Sequence, residues 1–221
     1  MVNIDGLRLD PDASSTDQRR NTGLSEPAYR DVLRAETLAI GERQVAEEGL
    51  DGLQARRIAR EAGCSVGSLY NVFGDLDRFI VEVNTLTLEK LRLRLEAALN
   101  ESGARDMRSG FLVLALAYAR FALEHSRAWE AVFKHRRPKN AVAMPRHQQE
   151  QQRLLGLIDG ILEAIEPNAE RRAGMARALF GAVHGIVTLA VDDRLEGVVR
   201  SELESQITFL VDTLVRGLGI R

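Results

Sequence analysis

The stretch from Ala55 to Phe73, ARRIAREAGCSVGSLYNVF, constrains this chain more than any other part of it. Small or apolar residues recur at Ile58, Ala59, Ala62, Cys64, Leu69 and Val72, a spacing that gives two short helices stripes to bury against each other. Between them stands Gly63. A three- or four-residue turn between steeply crossed helices needs a positive φ, which glycine adopts without a Cβ penalty. Ala59 leaves room for close approach, and Ser65 is placed to accept a bond from an unpaired N–H at the start of the second helix. With Leu69, Val72 and Phe73 inward, the helical period puts Val66, Gly67, Ser68, Tyr70 and Asn71 at or near the outward face. Their chemistry suits a nucleic acid. Gly67 permits close backbone approach, the hydroxyls of Ser68 and Tyr70 suit phosphate, and the Asn71 amide can pair with an adenine edge. The pattern implies a helix-turn-helix whose second helix enters a DNA major groove.

Flanking motifs extend the pattern from about Arg30 to Glu89. A preceding helix ends in Ala46-Glu47-Glu48-Gly49-Leu50-Asp51-Gly52-Leu53; then come Ile58-Ala59, Ala62-Gly63, Ser65, Gly67, Leu69-Tyr70 and Phe73-Gly74-Asp75. This segment resembles the N-terminal domain of the TetR family of bacterial repressors. The residues expected to contact DNA are Arg34, Gln54, Arg56, Ser65, Val66, Gly67, Ser68, Tyr70 and Asn71. Val66 and Leu76 stand where that family commonly has lysine, and Gln54 stands where Ser or Thr usually caps the second helix. Gly41 and Gln44 depart from a surface that is usually apolar or Ala-rich.

Charge does not single out this segment. Between Arg19 and Arg78 there are nine arginines against ten Asp plus Glu, a local balance of 9 − 10 = −1 beside −2 for the whole chain. A phosphate-binding surface must therefore come from arrangement, with Arg30, Arg34, Arg56, Arg57 and Arg60 on one side and Glu42, Glu47 and Glu48 turned away. Arg34 and Arg56 are the leading candidates.

The rest of the chain reads as helix. With 221 residues, five prolines and no long β-branched run bounded by turns, an all-α protein is expected. It would comprise an N-terminal helix-turn-helix three-helix domain and a C-terminal helical bundle of about six helices. The expected parts are an N-terminal arm over 1–27, a DNA-binding domain over 28–78, and a ligand-binding and dimerisation domain over 79–221. The arm is polar, broken by Pro11, Gly23 and Pro27, and carries Arg19 and Arg20. Asp75 can cap a long helix running through Phe79, Ile80, Val83, Leu86, Leu91 and Leu95 toward Asn100, the expected link between domains.

Beyond Ala104 the helical period returns. Met107, Phe111, Tyr118, Phe121, Trp129, Phe133, Met144, His147 and His184 are candidate lining for a pocket in the bundle; ordinary core packing is the competing reading. A helix over about 146–166 should stop at Pro167, with Asn168 or its successors starting the next. Phe180-Gly181-Ala182-Val183-His184-Gly185 resembles the aromatic-x-x-x-His-Gly signature of one class of TetR-family C-terminal domain, with Phe180 where Trp is frequent. Gly181 and Gly185 lie four apart on one face and permit close helix approach. That helix and the last one, with Leu203, Ile207, Leu210, Val211, Leu214 and Leu218, would form a four-helix interface in a homodimer.

Other functions find less in the sequence. An enzyme would have to use His184 with Asp192 or Asp193, without a nucleophile motif, phosphate loop or metal-ligand cluster, so no catalytic residue, cofactor or metal is expected. The single Cys64 excludes an internal disulfide and reads as a small buried hydrophobe in a reducing cytoplasm. No segment is expected to span a membrane. The expected role is a homodimeric repressor on palindromic double-stranded DNA, released by an unidentified small-molecule effector; a helical interaction module with weakened DNA binding is the alternative.

Overall fold

The computed structural model describes residues 25–136, 144–192 and 200–218. They form nine α-helices and no strand, so the all-α expectation holds among the described residues. The helices are α1 (Glu26–Glu48), α2 (Ala55–Glu61), α3 (Val66–Phe73), α4 (Leu76–Ser102), α5 (Met107–Glu124), α6 (Ser126–Lys134), α7 (Pro145–Leu162), α8 (Ala169–Asp192) and α9 (Leu203–Gly217). Short 3₁₀ turns cover Leu50–Gly52 and Arg200–Glu202. The chain divides into two compact units, one of 1–87 with 130–143 and one of 88–129 with 144–221. The expected arm lies outside the described residues except for its last three, of which Glu26 and Pro27 already belong to α1.

In the first unit, α1 opens with proline in its first turn, where the missing N–H costs nothing. It ends at Gly49, whose φ of +74° a side chain would resist. Its inward face carries Tyr29, Leu33, Leu38, Ile40 and Val45, packed with Ile58, Leu69, Phe73 and Phe79 into one core. Each fully buried aliphatic or aromatic side chain there contributes about 1.5–3 kcal/mol. Gly41 explains its own presence: a Cβ there would lie 2.7 Å from Phe79 Cζ and 2.8 Å from Val83 Cγ2. Gln44, also buried, donates from Nε2 to Glu61 Oε2 at 2.8 Å, tying α1 to α2. The two residues that depart from the family surface are thus accommodated by specific partners.

The second unit holds the remainder of α4 with α5, the start of α6, α7, α8 and α9. Its core gathers Leu91, Leu95, Phe111, Leu114, Leu162, Val187, Leu203 and Ile207. Asp106 starts α5 with a capping box, its carboxylate accepting from Ser109 N at 2.8 Å. Gly110 faces Ile161, close enough that a Cβ would meet its Cδ1 at 3.1 Å. Asn168 caps α8 by accepting from Arg171 N at 2.9 Å. Glu150 of α7 is buried and bound by Arg92 of α4 at 2.9 Å and by Arg153 at 2.7 Å.

Helix α8 is long and apolar enough to cross a membrane by length and composition, and 22% of its apolar window is buried. Helices that pack in cores meet the same two criteria.

Candidate nucleic-acid interface

The helix-turn-helix is built by backbone bonds that the sequence makes available. The Ala62 N–H closes the last turn of α2 on Ile58 O at 2.9 Å, and the Cys64 N–H reaches Ala59 O at 2.8 Å. Gly63 between them takes φ +62°. Ser65 has extended backbone and its Oγ accepts from Ser68 N at 3.0 Å, the N-cap expected for α3. Gln54, in the equivalent place before α2, makes no side-chain cap. At the far end, Gly74 takes φ +90° and donates to Tyr70 O at 2.7 Å. Asp75 then starts α4 by accepting from Arg78 N at 2.7 Å.

The sequence places five residues outward on α3, and the structure sorts them. Gly67, Tyr70 and Asn71 are exposed and Val66 is half-buried. Ser68 is corrected: it is buried, with its hydroxyl 2.9 Å from Ser65 Oγ, because it completes the cap rather than facing out. Ser65 is half-buried, and its Oγ is occupied by the same cap. Cys64 is buried as expected, and burial, aided by Glu36, pushes its thiol up to about 11.

The arginines divide as sharply. Arg56 and Arg60 are exposed and have no carboxylate partner among the described residues, as Gln54 is exposed beside them. Arg57 is bound to Glu48 at 2.6 Å, so its charge is neutralised locally. Arg34 is ion-paired to Glu82 of α4 and lies over the Phe73 ring, 5.1 Å from its centroid. Arg30 donates to Asn71 O at 3.4 Å. Between α1 and α3 a hollow of about 290 Å³ is lined by Glu26, Tyr29, Arg30, Leu33, Ser68, Asn71 and Val72. Glu82 carries no signal in the sequence, since its importance depends on a partner in another helix.

In the second unit, three of the pocket candidates meet directly. Trp129 Nε1 donates to Tyr118 Oη at 2.9 Å, and Tyr118 Oη lies 2.7 Å from His184 Nδ1. Indole N–H only donates, so the phenol oxygen accepts from Trp129. The Thr188 hydroxyl donates to His184 O at 2.8 Å, so its oxygen faces Nε2, 3.4 Å away, as an acceptor; with the proton of a neutral ring on Nε2, Nδ1 accepts from the phenol. Phe180 stacks on the imidazole at 5.3 Å. Burial holds His184 below its ordinary pKa by disfavouring the charged ring, and raises the Tyr118 phenol above its own.

The other candidates are not brought to this cluster. Phe111 and Phe121 are buried core and Met107 packs against that core. Phe121 lies against the His125 ring at 4.7 Å. Phe133 belongs to the first compact unit and is 40% exposed, which removes it from the bundle's lining. His147 and Met144 are half-buried, and His147 Nε2 lies 3.3 Å from Gln151 Nε2 on its own helix. Phe180 and Thr188 complete the cluster and were absent from the sequence-level candidates; the four-residue spacing from His184 was the available signal.

Tyr118→Phe should lower stability by about 1–2 kcal/mol, because it removes the hydroxyl that Trp129 Nε1 and His184 Nδ1 share. Urea unfolding followed by tryptophan emission reads this cleanly, since Trp129 is the chain's one tryptophan. An unchanged midpoint would show the hydroxyl to be idle.

Comparison with known proteins decides the family. The model for bacterial regulatory proteins of the tetR family matches residues 38–83, and that for the Tetracyclin repressor-like C-terminal domain matches residues 111–214. The chain belongs to the TetR family. This makes it a DNA-binding transcriptional regulator. Solved structures share the fold of this TetR-family chain. A Rhodococcus sp. RHA1 protein of unknown function is 28% identical, with TM-score 0.67 over 84% of this chain and 94% of its own. A TetR transcriptional regulator from the same organism is 18% identical, with TM-score 0.59 over 86% and 98%. The regulator FadR from Bacillus subtilis, in complex with stearoyl-CoA, is 16% identical, with TM-score 0.59 over 80% and 96%. No curated protein matches the chain.

Proposed function

We propose that this TetR-family regulator is a cytoplasmic homodimeric repressor that binds a palindromic operator and leaves it when a small molecule binds the helical bundle. The observation that carries the reading is α3, capped by Ser65, with Gly67, Tyr70 and Asn71 exposed together on one face. Base reading falls to Asn71 and Tyr70, phosphate contact to Arg56 and Gln54, and close backbone approach to Gly67. The DNA-binding domain would span 28–78 and the effector and dimerisation domain 79–221.

Dimerisation through α8 and α9 has support in the protomer. Gly181 and Gly185 have open space where a Cβ would stand, and Phe209 of α9 is 71% exposed. Apolar surface of this kind marks an interaction face. Two copies would set two recognition helices about 34–36 Å apart, one turn of DNA. The Tyr118, Trp129 and His184 cluster is the proposed polar anchor for the effector, whose identity is open. FadR, with its stearoyl-CoA, supports a bundle of this fold as a place for a small molecule. Both ring nitrogens of His184 face hydroxyls, which supports a binding rather than a catalytic role.

A second reading, a helical interaction module with weakened DNA binding, is favoured by Val66, Leu76 and the local charge of −1. Selection from a random pool of double-stranded DNA separates the two. The repressor should enrich a palindrome, lose affinity steeply as salt rises, and lose about 1–3 kcal/mol of base discrimination in Asn71→Ala. Failure to retain any duplex at low salt would leave the interaction module.

A further inference from the structure

Arg34 and Arg56 look alike in the sequence, yet the structure commits one and leaves the other available. Arg56 is exposed and has no carboxylate partner among the described residues. The Arg34 guanidinium is held from two sides, by the Glu82 carboxylate of α4 and by the face of Phe73, the last residue of α3. Phe73 is itself 2% exposed and packs edge-on against Phe79 at 4.9 Å. A cation lying over a ring and bonded to a carboxylate has little freedom left to follow a phosphate.

The end of α3 has a second tie. A helix leaves its last four carbonyls without intrahelical partners, and cations are favoured there. Gly74 N takes the Tyr70 carbonyl at 2.7 Å, and Arg30 reaches the Asn71 carbonyl at 3.4 Å. The two α1 arginines therefore grip the C-terminal end of a helix only eight residues long.

We propose that Arg34, with Arg30 in support, is a positioning residue: it fixes the recognition helix against α1 and α4 so that Asn71 meets base edges in register, and it makes no phosphate contact. The inference rests on the DNA-binding reading.

Two measurements on the full-length protein test it, one of them without DNA. In the absence of DNA, Arg34→Gln should speed amide hydrogen exchange across residues 66–73 about tenfold relative to residues 55–61. Equal protection would overturn the proposal whether or not the protein binds DNA. With the duplex most enriched by the wild type and an unrelated duplex of equal length, Arg34→Gln should reduce the preference between them about tenfold while leaving the salt slope unchanged. Arg56→Gln should instead weaken both duplexes alike and reduce the slope by about 0.9. Arg34→Lys, which keeps the charge and loses the planar guanidinium, should fail to restore the preference. A slope reduced by Arg34→Gln, or a full rescue by lysine, would make Arg34 a phosphate contact and overturn the proposal. A stability loss with unchanged preference would make it merely structural and overturn it as well.

Discussion

Gly41→Val should cost about 3 kcal/mol or more, at or above the upper end for overpacking a core. The position is buried on the inward face of α1, and even a Cβ would stand 2.7 Å from Phe79 Cζ and 2.8 Å from Val83 Cγ2. Neither neighbour can yield easily. Phe79 and Val83 are both 0% exposed, and Phe73 blocks the Phe79 ring at 4.9 Å. Alanine at the same place should cost less, because its helix propensity returns about 1 kcal/mol relative to glycine. Urea unfolding followed by circular dichroism reads both variants. Phe79→Ala alone should cost about 3–5 kcal/mol, and the double variant with Gly41→Val should lose less than the sum, since the valine fills the vacated volume. Strict additivity would mean that the two side chains do not compete for one space.

Glu150→Ala should cost about 3 kcal/mol, near the low end for breaking a buried ion pair. The carboxylate, 2% exposed as a residue, accepts from Arg92 Nε at 2.9 Å and Arg153 Nη1 at 2.7 Å. Removing it leaves Arg92, whose side chain is 14% exposed, with Glu96 as its remaining partner at 2.7 Å. That partner keeps the loss from being larger. Burial opposes the charge on Glu150, but the bonds from Arg92 and the charges of Arg92 and Arg153 outweigh it and hold its pKa below the usual carboxylate value. The folded state therefore binds the proton less readily than the unfolded chain. Its stabilisation is present above the unfolded pKa of about 4.3 and is lost as pH falls through the lower folded value. Glu150→Gln should flatten that part of the acid branch, measured as unfolding midpoint against pH. An acid branch unchanged by the substitution would assign the loss to other carboxylates.

The residues that were legible from sequence are those whose role is local. Gly63, Ser65 and Asp75 act within a few residues of themselves, so the positive φ of Gly63 and the two caps could be read from spacing. The apolar period of α4, α5, α8 and α9 likewise belongs to each helix alone. Ser68 was misread because its outward period conflicts with its hydroxyl completing the Ser65 cap. Phe133 was misread because an aromatic at helical spacing does not reveal which compact unit it joins.

By itself the sequence determined an all-α chain, a helix-turn-helix with its turn at Gly63, and the helical face of α3 that carries Tyr70 and Asn71. Such features follow from backbone sterics and from a 3.6-residue period, both properties of neighbouring residues. Only the tertiary structure decided that Gly41 must stay bare beneath Phe79, that Glu150 is a buried anion between two arginines, and that Tyr118, Trp129 and His184 share one chain of hydrogen bonds. It alone separated Arg34, bound by Glu82 and Phe73, from Arg56, which has no carboxylate partner among the described residues. Each of these depends on a partner brought from a distant helix, and the chemistry of a guanidinium or a carboxylate is set by what faces it rather than by its place in the chain.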